Sequence, residues 1–333
     1  MKYKSFNGMD VVLLKQYELI LAFYAVFLLK HPEYLEMFDF IETPNNEYMK
    51  ELTNLIDVDK YSEIIKYITN FSDCTVPVNI AIGMNDEYEI DLNKFDSYCT
   101  KYIQYGTAFD FSKEIRRLAI DIDWDNFFES HKKVYDDFCN IVCNFPSNLN
   151  LNDIEEFYHL SKNHYIYSPS MFMNGGFGPS DKLGNSYYFR GFIYDENKKT
   201  FNFDSQYLVE CMFHEFSHPI VNPLVLKYLN NEEILNRFCE MSKNNNLVLT
   251  YCGDNYIVMC EYLVRANAHI LASKYFGLTS LENSWIVNHG FQYLPQLIDF
   301  TMDKIKNYDN YDEFVKYSVK DFMKTCLDIY EKR

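Results

Sequence analysis

The sequence predicts an α+β protein that is mostly helical, with a helical N-terminal lobe over residues 1–150 and a second lobe over residues 151–333. Three observations carry that reading. Apolar residues recur at helical spacing through most of the first 145 residues and again from Asp204 almost to the end. Two aromatic, β-prone runs stand between those stretches. Gly (11) and Pro (9) fall below their usual shares of roughly 7% and 5%, which argues against long structureless loops.

Residues 8–30 have the spacing of one helix that stops before Pro32, whose predecessor is biased away from helical geometry. Its uncharged run, Leu19 to Leu29, has the length of a signal-peptide core but is too short to span a bilayer. Asp10 and Glu18 precede it where a signal would be basic, and Lys30-His31-Pro32 follows in place of a small-residue cleavage site. A buried helix is the expectation. Shorter helices are predicted near 46–57 and 59–70. Thr75 to Ile82 alternates and is β-branched, which predicts a strand. Two helices follow, near 91–104 and 123–143, with Asp123 or Asp125 capping the second.

After Pro146 the texture changes. His164 to Met173 and Ser186 to Tyr194 read as a hairpin or two neighbouring strands around Gly175-Gly176-Phe177-Gly178. Those glycines are not a phosphate cradle, because no helix follows directly and no Lys-Ser/Thr closes the loop. The remaining chain predicts helices near 205–218, 224–242, 252–275, 280–288, 291–307 and 311–329, and no internal repeat is visible.

Thirty-one Lys and Arg against 48 Asp and Glu leave a formal charge of −17. Such a surface repels phosphate backbones and anionic bilayers, so neither nucleic acid nor membrane is expected as a partner. The nine cysteines form no CxxC pair, which predicts reduced thiols and favours the cytoplasm. The abundance of rings, 29 Tyr and 28 Phe, reads mostly as core filling.

One stretch carries chemistry: Cys211-Met-Phe-His214-Glu215-Phe216-Ser217-His218-Pro219. On a helix, His214 and His218 are four apart, so both imidazoles leave one face and can hold one metal ion. Glu215 is offset by about 100° around the turn, where its carboxylate can reach a metal-bound water without taking a coordination position. A catalytic zinc site wants a third protein ligand and an open position. Glu261 is the first candidate, because a carboxylate among Tyr256-Ile-Val-Met-Cys260 and Tyr262-Leu-Val264 would be expensive if unpaired. The alternative for Glu261 is an i,i+4 pair with Arg265 on a solvated face. Rival ligands are His269, Asp254 and His289.

His214 to Pro223, H-E-F-S-H-x-x-V-N-P, resembles the signature of a bacterial family catalogued as domain of unknown function 4932, regarded as zinc metallopeptidases of the gluzincin type. The resemblance extends to Tyr17-Glu18-Leu19-Ile20, to Glu261–Ala266 and loosely to Tyr311–Phe314. It implies a zincin-like core, a small sheet plus the H-E-x-x-H helix, flanked by the helical N-terminal lobe and a helical C-terminal subdomain. It also implies Zn²⁺ held by His214, His218 and Glu261, with Glu215 as the catalytic base. Two departures stand out: Pro219 replaces a small polar residue, and Arg265 stands where many gluzincins place an Asp four residues after the ligand Glu.

The chemistry so implied is hydrolysis of a peptide or protein substrate, with Glu215 moving the proton. The developing oxyanion needs a positioned donor, for which Tyr293 and His289 are candidates and Arg265 a third. The two β-prone runs could offer an edge to an extended peptide, or simply pack as a sheet. Two other functions compete. One is a metal-stabilised or peptide-binding module without turnover, and the other is a metallohydrolase of non-peptide amides.

Overall fold

Asn7 and Gly8 both take positive φ, +46° and +88°, which is the geometry of the two-residue turn that joins antiparallel strands. They link β1 (Lys2–Phe6) to β2 (Met9–Val12), with Phe6 opposite Met9. The expected helix over 8–30 therefore begins later, as α1 (Lys15–Lys30), and Asn-Gly is the local signal that should have separated the two. This computed structural model describes residues 2–71, 75–95, 105–160, 163–192, 194–195, 200–201, 204–230, 232–242, 255–277, 280–281 and 285–331. The chain forms two compact units. Met1–Phe145 with His164–Ser205 makes the first, and Pro146–Asn163 with Gln206–Arg333 makes the second.

In the first unit α1 is buried from Gln16 to Leu28, which explains why its apolar run has no polar stripe. Against it packs α2 (Glu47–Leu55), capped by Asn46 accepting from the Met49 amide at 2.8 Å, and α3 (Ser62–Asn70) follows in the chain. The expected strand at Thr75–Ile82 is instead α4, packed against α1. Val76, Val78, Ile80, Ala81 and Ile82 are all buried, so burial on every side produced an apparent alternation. Pro77, poorly tolerated in a central strand, sits where the first turn of a helix accepts it.

The predicted helix at 91–104 is a turn over its first residues, and 96–104 lie outside the described residues. Next comes α5 (Tyr105–Asp121), which the sequence reading passed over. The single helix expected at 123–143 is broken into α6 (Trp124–His131), α7 (Asp136–Asn140) and two 3₁₀ turns. Asp123 does occupy the cap position of α6, but its carboxylate accepts from the Asn126 side chain, while Asp125 accepts from Lys15 and Tyr88.

The sheet of this unit has the order β1-β2-β3-β5-β4, with β3 (His164–Pro169), β4 (Gly176–Phe177) and β5 (Asn185–Arg190). A two-stranded ribbon, β6 (Tyr194–Asp195) and β7 (Thr200–Phe201), stands apart from it. The two aromatic runs are neighbours but not a hairpin: β3 runs parallel to both β2 and β5. Strands buried on both faces need no alternation, which accounts for their continuous aromatic character. Since β3 and β5 are both interior, the pair offers no open edge to a peptide. The connection between them returns so tightly that a Cβ on Gly191 would lie 1.4 Å from the Met173 carbonyl oxygen. Only glycine fits there.

The second unit is helical: α8 (Asn152–Tyr158), α9 (Ser205–Tyr228), α10 (Glu233–Ser242), α11 (Asn255–Phe276), α12 (Trp285–His289), α13 (Leu294–Lys304) and α14 (Tyr311–Tyr330). Helix α11 is the buried centre, packed against α8, α10 and α13. Buried Asn267 ties three helices by donating to the hydroxyls of Tyr158, at 3.0 Å, and Tyr311, at 2.7 Å. Helix α9 overturns the predicted stop at residue 218, running through Pro219 and Pro223. Each interior proline costs about 3 kcal/mol. Full burial of Val221 and Val225 beyond Pro219 returns ~1.5–3 kcal/mol apiece, of the same order as that cost. Among the described residues no helix is long and apolar enough to cross a membrane, and no disulfide joins the six described cysteines.

Candidate metal centre

Because α9 continues past its prolines, one face carries Glu210, His214, His218 and Asn222 at four-residue steps. Helix α11 answers with Glu261, Arg265 and His269 at the same interval. Among the described residues, His214, His218 and Glu261 form the one group of three whose potential ligand atoms gather within 4.8 Å of one another. His214 Nε2 and His218 Nε2 stand 3.0 Å apart. Glu261 Oε2 is 3.6 Å from the first and Oε1 is 3.4 Å from the second. Donors at 2.0–2.2 Å from a tetrahedral ion are separated by ~3.4 Å, so two imidazoles and a carboxylate placed this way are spaced to share one metal ion.

The ring nitrogens are prepared for that use. His218 Nδ1 donates to Asn222 Oδ1 at 3.1 Å, which leaves the Nε2 lone pair turned toward His214 and Glu261. Burial, with His218 and Arg265 nearby, holds His214 well below the usual histidine range, so it is neutral at pH 7. Glu215 is buried, and its Oε2 lies 4.0 Å from His218 Nε2. It borders the donor set without joining it. Arg265 donates from Nη2 to Glu261 Oε2 at 2.9 Å, and its guanidinium carbon lies 4.8 Å from the centre of the Phe291 ring. The i,i+4 pair weighed as an alternative for Glu261 thus exists together with the ligand geometry, and on a largely buried seam.

Among the described residues, the rival ligand His269 is not part of that group. His269 is buried, with Nδ1 3.3 Å from Glu210 Oε1. Tyr293 precedes α13 and rests its ring on Phe238, centroids 5.8 Å apart, beside Tyr262. Asp254 and the side chain of His289 lie outside the described residues. Sequence reading overlooked Asn222, although its i+4 spacing from His218 was there to see, because the helix was ended at Pro219. No curated protein and no solved structure matches this chain. The family model described as Domain of unknown function (DUF4932) matches residues 110–322, more than half of the sequence and a span that contains the whole donor set, and the chain belongs to that family.

Proposed function

We propose that the protein is a zinc-dependent hydrolase with a zincin-like core and a gluzincin ligand set, His214, His218 and Glu261, that cleaves peptide bonds. The convergence of those three side chains from two helices, with Glu215 beside them, is the observation that carries this reading. Zinc bound there would lower the pKa of water to about 7 and polarise a carbonyl. Glu215 accepts the proton of the attacking water and passes it to the leaving nitrogen. Asn222 keeps His218 in the ligating tautomer throughout. With no disulfide among the described cysteines, the cytoplasm is the proposed setting.

Elemental analysis of the untagged protein should find about one zinc per chain, lost in the double variant His214→Ala/His218→Ala. Glu215→Gln should retain that zinc while peptide hydrolysis falls at least ~100-fold in a peptide-library assay. Undiminished turnover by Glu215→Gln would remove the base. Zinc retained without turnover by the wild type on peptides or small amides would leave a metal-stabilised module instead.

A further inference from the structure

We infer that Arg265 is a positioning residue that restricts Glu261 to one metal-binding oxygen and so biases the site toward zinc over larger divalent ions. This rests on the metal reading of the site. The guanidinium donates to Glu261 Oε2 at 2.9 Å, so that oxygen already accepts a charge-assisted hydrogen bond. Oε2 also lies 3.6 Å from His214 Nε2, while Oε1 faces His218 Nε2 at 3.4 Å and is the oxygen that does not share its electrons with the guanidinium. Arg265 is itself held: its charged end lies against Phe291, and it reaches Glu261 from one helical turn away on α11.

The consequence concerns coordination number. Zinc is satisfied by four ligands and accepts a carboxylate through a single oxygen. Calcium takes six to eight oxygens and often a bidentate carboxylate, and octahedral oxygen-rich sites suit manganese. An oxygen already committed to a guanidinium is a poor second donor, so the larger ions lose the ligand that would bring them above four. Arg265 also balances charge. Its guanidinium sets a positive charge beside the carboxyl groups of Glu215 and Glu261, weakening the purely electrostatic attraction that serves every divalent ion alike. The arginine that stands where an orienting aspartate was expected thus orients the carboxylate ligand rather than a histidine.

The test is competition binding of Zn²⁺ and Mn²⁺ to the full-length protein and to Arg265→Ala and Arg265→Lys, with circular dichroism of each metal-free form as the folding control. For Arg265→Ala, zinc affinity should fall 10- to 100-fold while manganese affinity holds or rises, so the zinc-to-manganese ratio narrows. Arg265→Lys, which retains charge and one donor, should recover part of the ratio. A folded Arg265→Ala with an unchanged ratio overturns the inference, as does an equal loss for both metals. If the wild type binds no zinc, the metal reading itself has failed, and that outcome is seen before any variant is compared. If Arg265→Ala does not fold, Arg265→Lys decides: a wild-type ratio refutes control by the guanidinium, and a narrowed ratio supports it.

Discussion

Glu18 and Glu261 are both carboxylates on largely buried helices, and their surroundings give them opposite roles. Glu261 has Arg265 at 2.9 Å and two imidazoles within 3.6 Å. Glu18 is fully buried in the first unit and accepts a hydrogen bond from the Tyr135 hydroxyl at 2.9 Å, which lies 3.1 Å from that of Tyr48. Burial pushes its carboxyl up to about 8, more than the hydrogen bonds to it draw it down. The folded chain therefore keeps a proton that the unfolded chain releases. The stability this contributes is complete below the ordinary glutamate range and is lost as pH rises through about 8. Melting temperature should fall between about pH 5 and about pH 8 in the wild type and fall less in Glu18→Gln; parallel curves would contradict this. Tyr17, its neighbour, donates to Met173 Sδ and packs on Phe189; both Tyr17 and Glu18 lie outside the matched family span. The H-E-x-x-H block was legible because its spacing is local. Glu261 was legible as a carboxylate out of place among apolar residues. The environment of Glu18 was not, since Tyr135 is far from it in sequence.

At the scale of elements, most helices of the second unit could be read because each carries its own periodicity, α8 being passed over, and α14 even announces its start with Asn310 accepting from the Glu313 amide at 2.9 Å. One misreading comes from burial: a segment buried on all sides loses the contrast on which periodicity depends. Helix α4 mimicked a strand in that way. Helix α9 was cut short for a different reason, the weight given to Pro219 over the apolar residues beyond it. The connection between β3 and β5 was invisible because it is defined by tertiary contact at Gly191. Gly191→Ala would force the Met173 carbonyl away and should cost about 3 kcal/mol or more, lowering the urea midpoint accordingly. An unchanged midpoint would mean that this crossing yields easily.

For the whole molecule, the interleaving of the two units escaped sequence reading, because it depends on Met9 pairing with Tyr165 across the length of the first lobe. The donor set, by contrast, lies entirely within the second unit. Zinc at a hundred times its dissociation constant should stabilise that unit by about 2.7 kcal/mol. Hydrogen exchange should then slow on zinc addition in α9 and α11, with β3 and β5 unaffected, and a chelator should reverse it; equal slowing in the sheet would contradict this.

The matched family span opens at residue 110, inside α5, and closes at 322, inside α14. A fragment trimmed to those limits would lack α1, the buried helix of the first unit, and the β1–β2 hairpin. It would leave the backbone groups of β3 that bond to β2 without a partner along an aromatic strand. Unpaired edges of that kind recruit other chains, so the similarity boundary is a recipe for aggregation, and any shortened form of this protein has to retain its first thirty residues.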